Sequence, residues 1–170
     1  MAFSLADTYY LKAMDAYPYS LEESIENLNY ALSYNAEHAN AICLMARILS
    51  EHFMDYDHAE EYFERALAAN PNHFESCIYY TQQLIKTSGF DKAGKLLKYA
   101  YTLKGADLAR VYYLDGLMHE YQKDYEAAGQ LYNEALENAF NIEFIHIIEE
   151  CKERLTKKID LRSSIIYSVC

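Results

Sequence analysis

Apolar positions along this chain recur at helical spacing in short blocks, and the blocks themselves repeat. Four segments align: Ser24-x3-Leu28-x2-Ala31-Leu32, Ala59-x3-Phe63-x2-Ala66-Leu67, Ala93-x3-Leu97-x2-Ala100-Tyr101 and Ala128-x3-Tyr132-x2-Ala135-Leu136. Their alanines at 31, 66, 100 and 135 are spaced 35, 34 and 35 residues apart. Ahead of each block an aromatic or leucine recurs at the same spacing, as Leu21, Tyr56, Phe90 and Tyr125. A period of this length is the mark of a repeat architecture. Small residues seven apart with a large one between them share one face of a helix, so a neighbouring helix can approach closely there. Ser20-x-x-Glu23 and Asp57-x-x-Glu60 read as capping boxes opening two of these helices. Further apolar-periodic stretches at Ile42 to Phe53, Phe74 to Ile85 and Leu108 to Tyr121 lie between them, so each repeat is two helices and a short turn.

Past the last block, residues 142–159 read as one further helix. Ile145, Ile148, Leu155 and Ile159 are spaced to cover the final repeat, while Glu149, Glu150, Lys152 and Glu153 face water. An end repeat needs such a cover for its apolar face. Residues 160–170 form an apolar tail whose Ser164 to Val169 stretch is β-prone, and self-association through it is one expectation.

Composition narrows the picture further. With 5 Gly and 2 Pro in 170 residues, long helices and few tight turns are expected. There are 18 Tyr, 7 Phe and no Trp. Tyrosine, with an apolar body and a polar tip, suits half-buried positions and interfaces. A net charge of −11 argues against nucleic acid and anionic membranes as partners. Lys152, Arg154, Lys157 and Lys158 form the one basic cluster, diluted by Glu149, Glu150 and Glu153. No apolar run is long enough to span a membrane, and Met1 to Leu5 carries no basic-then-apolar leader. Cys43, Cys77, Cys151 and Cys170 stand apart without CxxC spacing, which fits reduced thiols and a cytoplasmic setting.

The residue pattern resembles the tetratricopeptide repeat, with its W-x2-L-G-x2-Y, A-x3-F, further Ala and closing Pro. The second unit carries it best, as Ile42-x2-Met45-Ala46-x2-Leu49, then Ala59-x3-Phe63, Ala66 and Pro71. The third runs Cys77-x2-Tyr80-Thr81-x2-Leu84, then Ala93-x3-Leu97 and Ala100, with Gly105 where the proline would stand. In the first unit the second helix alone is convincing. The fourth has two registers: Gly116 in the family glycine position turns Asp115 and His119 inward, whereas a one-residue shift buries Val111, Leu114 and Met118 and is the register favoured. The resemblance implies an all-α fold, a right-handed α-solenoid of about four helix-turn-helix repeats (5–38, 39–73, 74–107 and 108–141) with a capping helix at 142–159. One domain over residues 1–160 is expected.

The family resemblance also implies a binding face. First helices line a concave groove in such proteins, which here places Tyr9, Tyr17, Asn40, Arg47, Glu51, Tyr79, Gln82, Lys86, Tyr113, Leu117 and Tyr121 toward a partner, with Tyr10, Ala13, Cys43, Ser50, Glu75, Ile78, Ile85, Arg110 and Glu120 at neighbouring positions. The clamp that some members use for acidic chaperone C-termini is missing, since its columns hold Tyr9, Ala13, Leu44, Glu75 and Tyr79. The expected function is therefore a non-catalytic adaptor or scaffold that holds a peptide or helix of another protein, neutral-to-basic or amphipathic, with no cofactor. A small acidic secretion-type chaperone is the alternative. An enzymatic reading rests on His52, Asp55 and His58 alone. They straddle a turn at irregular spacing, while His38 and His73 occupy equivalent places after inter-repeat turns. No Gly-rich phosphate loop or GxSxG motif is present.

Overall fold

Every predicted block is helical. The computed structural model describes residues 4–169, with side chains through Arg162. Among the described residues the regular elements are all helices: α1 (Leu5–Ala16), α2 (Leu21–Tyr34), α3 (Ala39–Glu51), α4 (Tyr56–Ala69), α5 (Phe74–Lys86), α6 (Phe90–Ala100), α7 (Leu108–Tyr121), α8 (Tyr125–Asn138) and α9 (Ile142–Val169). The chain divides into two compact units, residues 1–83 and 84–170, with α5 running across the division. Within the units α1 pairs with α2, α3 with α4 and α7 with α8, as the repeat requires.

The caps are not all where the sequence suggests. Ser20 makes no side-chain bond to α2, and α4 is capped by Asp55, whose carboxylate accepts from the His58 N–H. The full capping box stands instead at α1, where Ser4 and Asp7 bond each other's backbone N–H at 3.0 and 2.9 Å. Asp107 and Asp124 cap α7 and α8 in the same manner as Asp55. The turns that close α3, α5 and α7 each use a left-handed residue, Met54, Ser88 and Lys123. Beyond it the chain bonds back to the helix end. Gly89 N–H donates to Leu84 C=O at 2.7 Å and Asp124 N–H to His119 C=O at 2.9 Å. The α3 turn is one residue wider, with Asp55 N–H reaching Leu49 C=O at 3.0 Å.

In unit 1 the repeat columns form the core. Ser24, Leu28, Ala31, Ala59, Phe63 and Ala66 are all fully buried. Ser24 replaces the alanine of the other repeats, and its hydroxyl is satisfied by the Ala13 carbonyl at 3.0 Å. Leu28 and Ala31 pack with Ala13, Ala41, Leu44, Met45 and Ile48. Phe63 stacks on Tyr80 with ring centres 5.3 Å apart, and the Tyr80 hydroxyl donates to Glu60 at 2.8 Å. Burying such a Leu or Phe side chain contributes roughly 1.5–3 kcal/mol. Successive first helices are also linked by histidine. His38 accepts from the Ala41 N–H through Nδ1, so its Nε2 carries the proton that is donated to Asp7 at 3.1 Å. His73 repeats the arrangement, with Ser76 Oγ at 2.7 Å on Nδ1 and Asn40 Oδ1 at 2.6 Å on Nε2.

In unit 2, Ala128, Tyr132 and Ala135 of α8 pack on Ile148, Cys151 and Leu155 of α9. The cover on the last repeat is thus in place, though Ile145 is half-buried and Ile159 exposed, so Cys151 serves where they were expected to. Residues 160–169 correct the β-prone expectation, because their backbone continues α9 to Val169. The side chains of 163–170 lie outside the described residues, as do Cys170 and Met1 to Phe3, so the self-association surface expected there is not described. In α7 the favoured register holds: Val111, Leu114 and Met118 are buried. Gly116 is buried as well, because α7 packs on two sides, and a Cβ there would lie 2.9 Å from the Tyr132 ring and 3.3 Å from Leu131 Cβ.

One ionic network ties α7, α8 and α9 together. The Glu120 carboxylate, 1% exposed, accepts from Arg154 at 2.7 and 2.8 Å, Lys158 at 2.7 Å and Tyr132 at 2.6 Å. Burial alone would raise this carboxyl, but the bonds from Arg154, Lys158 and Tyr132 outweigh it and hold it at about 2.

Two predictions follow from unit 2. Gly116→Ala will destabilise the protein, because an overpacked ring contact costs about 1–3 kcal/mol and the gain in helix propensity returns only about 1. A Tyr132→Leu background that restores part of the stability would confirm the clash as the cause. The Glu120 carboxyl is depressed from 4.5 in an unstructured chain to about 2 in the fold, so its contribution is present above pH 4.5 and lost as pH falls toward 2. Glu120→Gln will therefore flatten the acid limb of the unfolding curve. At neutral pH it will cost roughly 2–3 kcal/mol, less than for a fully buried pair because Arg154 and Lys158 keep water contact.

Candidate partner-binding cleft

Three first helices supply one side of unit 1. Tyr10 and Met14 are four apart on α1, and Asn40, Cys43, Leu44 and Arg47 occupy one face of α3. Glu75 and Tyr79 are four apart on α5, with His73 just before it. Together they line a cleft of about 140 Å³. That is well below the roughly 300–1,000 Å³ of small-molecule sites.

Arg47 organises the cleft. Its guanidinium lies 3.8 Å from the Tyr79 ring centre and 5.0 Å from that of Tyr17. It also donates to Glu51 Oε1 at 3.4 Å and to the Tyr17 hydroxyl at 3.4 Å. Tyr17 in turn donates to Glu51 Oε2 at 2.5 Å, and His52 stands 3.3 Å from the same hydroxyl. Burial works against the charge on Arg47, yet Tyr79, Glu51 and Tyr17 more than offset it, so the cation is retained. The Tyr17 phenol is pushed up to about 12 by burial and by its bond to Glu51. Burial likewise lifts the Cys43 thiol to about 12, so it backs the cleft as a protonated, inert group. The His73 imidazole is lowered by burial. What the arrangement can do is hold: a rigid aromatic–cation surface beside amide, imidazole and carboxylate groups.

The structure places the expected groove residues unevenly. Tyr17, Asn40, Arg47, Glu51 and Tyr79 come together here. Tyr9 instead stacks on Tyr30 and Tyr34 of α2, at 5.1 and 5.7 Å. Gln82 and Leu117 are half-buried, while Lys86 and Tyr121 are exposed. Tyr113 lies half-buried against Phe144 of α9 and Tyr132 of α8, at 5.3 and 6.2 Å. Ala13, Ser50, Ile78, Ile85 and Glu120 are buried and correct the wider groove reading, since none presents a surface. Met14, Leu44 and His73 were not among the groove positions expected. His73 could have been found from its place at the repeat junction, where it reaches Asn40.

The histidines around the α3–α4 turn have partners of their own. His58 Nδ1 lies 2.8 Å from Asp55 Oδ2, while His52 reaches Tyr17. Among the described residues no group of three or more His, Cys, Asp or Glu is placed to hold a metal, and no helix is long and apolar enough to cross a membrane. Cys43, Cys77 and Cys151 are buried free thiols.

Comparison with known proteins agrees with the geometry. The family profile described as tetratricopeptide repeat matches residues 39–73 and 109–141. Among solved structures, residues 41 to the end of MamA from Desulfovibrio magneticus RS-1 superpose with a TM-score of 0.66 at 20% identity, over 98% of this chain and 96% of that one. An RS-1 MamA "ArsTM double mutant" gives the same TM-score at 19% identity, with the same coverage of both chains. No curated protein matches the sequence. Residues 39–73 and 109–141 are thus tetratricopeptide repeats, and their alanine columns continue through α2 and α6.

Proposed function

We propose that this protein is a non-catalytic interaction module of cytoplasmic type, which holds a peptide or helix of a partner protein by seating one of its side chains in the unit 1 cleft. Tetratricopeptide repeats support the protein-interaction reading in general. The observation that carries the specific one is Arg47 set over the Tyr79 ring, in reach of Tyr17 and braced by Glu51. Ordering so polar a cluster at a surface costs side-chain freedom in advance, which lowers the cost of binding later. Tyrosine and arginine in a half-buried pocket are also the residue types that dominate measured interfaces. Glu51 and Glu75 beside the cleft, with the net charge of −11, favour a neutral-to-basic or amphipathic segment. The remaining expected groove residues, Tyr9, Gln82, Lys86, Tyr113, Leu117 and Tyr121, are secondary in this reading.

The test is a pair of substitutions with opposite signatures. A partner identified by affinity capture and mass spectrometry is titrated against purified wild type, Tyr79→Ala and Tyr113→Ala. Tyr79→Ala should weaken binding about thirtyfold, the size of a hot-spot loss of about 2 kcal/mol, with little change in melting temperature. Tyr113→Ala should leave affinity intact and cost about 2–3 kcal/mol of stability, because its ring packs under α9. Equal affinity of wild type and Tyr79→Ala would remove the cleft from the interface.

A further inference from the structure

We infer that unit 2 carries a second binding site, specific for an acidic segment of a partner protein, in the cleft where the α7–α8 turn faces the later part of α9. The site does not depend on the unit 1 cleft and has the opposite charge preference. Its walls are Lys123, Tyr125, Lys158, Leu161 and Arg162, around a space of about 470 Å³. Three of the five lining residues are cations and none is a carboxylate, in a chain whose net charge is −11. Such a concentration of one sign runs against the field of the rest of the surface, so an anion approaching the protein meets attraction here.

Two carboxylates near it are engaged within the fold, while Glu126 and Asp160, beside Tyr125 and Leu161 in sequence, do not line the cleft. Glu120 is taken up by Arg154, Lys158 and Tyr132. Asp124 caps α8 by accepting from the Ala127 N–H at 3.3 Å and lies 3.5 Å from His119. Lys123 and Arg162 make no ion pair among the described residues, and Arg162 lies 6.0 Å from the Tyr125 ring centre. Lys123 is not demanded by the turn: it adopts the left-handed conformation that Met54 and Ser88 adopt in the other two turns, so its side chain is open to another use. The α8 N-terminus adds its positive dipole end to the same side.

Tyr125 and the exposed Leu161 supply apolar surface between the cations. The site therefore fits carboxylates flanking an aliphatic side chain, as an acidic amphipathic segment would offer them. Solvated ion pairs of this kind bind weakly each and are screened by salt, so several must act together.

The test uses the full chain and a fluorescent peptide alternating glutamate with leucine, its glutamine counterpart, and inorganic phosphate. At about 0.02 M salt the glutamate peptide should bind at least about tenfold tighter than the glutamine peptide, and binding should fade by about 0.3 M salt. Lys123→Glu/Arg162→Glu, which leaves the Glu120 network untouched, should lose at least about tenfold in affinity with an unchanged melting temperature. Lys123→Gln/Arg162→Gln should show a smaller loss, and Arg47→Ala/Tyr79→Ala none. Equal binding of the glutamine peptide, or full affinity in the Lys123→Glu/Arg162→Glu variant, would overturn the assignment. Displacement of the peptide by an equal concentration of phosphate would overturn it in favour of a small-anion pocket.

Discussion

Two helices can approach only as closely as the side chains between them permit, and in this chain alanine sets that distance. Ala31, Ala66, Ala100 and Ala135 are fully or almost fully buried. Leu28, Phe63, Leu97 and Tyr132 fill the space beside them. Gly116 shows the same constraint at its limit, where the Tyr132 ring occupies the volume that a methyl group would need. Close pairing of this kind spends the small residues on contacts within the repeat. In unit 1 the larger and more polar residues of α1, α3 and α5 are left to meet along another side, and there Tyr10, Arg47 and Tyr79 make the cleft.

Each unit places a charge cluster on this frame, and the two clusters serve different ends. In unit 2 the Glu120 carboxylate is nearly sealed, and Arg154 and Lys158 hold α9 down by it. Such a bond orients a helix more than it stabilises the whole, since both ions lose water to form it. In unit 1 the Arg47 cluster remains at the surface with an open cleft beside it. The one is a fastener within the fold; the other borders an open cleft.

The repeat was legible because its signal is local. A small residue, a large one and a second small one at fixed spacing report burial without any knowledge of the rest of the chain. Residues 5–16 matched the family poorly and still form α1, because Ser4 and Asp7 cap it and His38 ties it to α3. Which acid caps α4 was not legible, since Asp55 and Asp57 are equally good acceptors and the wider turn after α3 decides between them. The continuation of α9 past 159 was hidden by β-branched residues, whose preferences are weak against an established helix. Arg47 and Tyr79 could be placed from their repeat positions. The packing of Tyr113 could not, because it depends on a helix that begins about thirty residues later. Lys123 and Arg162 met for the same kind of non-local reason.

The hydroxyls of four tyrosines end on carboxylates: Tyr17 on Glu51, Tyr80 on Glu60, Tyr101 on Asp115 and Tyr132 on Glu120. Each ring fills space between helices as phenylalanine would, and each O–H supplies a donor that phenylalanine lacks. A chain with 26 acidic residues and 15 basic ones has more carboxylates than cations to meet them. Tyrosine lets part of that surplus be drawn into helix contacts without a matching lysine or arginine. The aromatic excess and the acidic excess, which look like separate oddities of composition, are thus complementary halves of one economy of donors and acceptors.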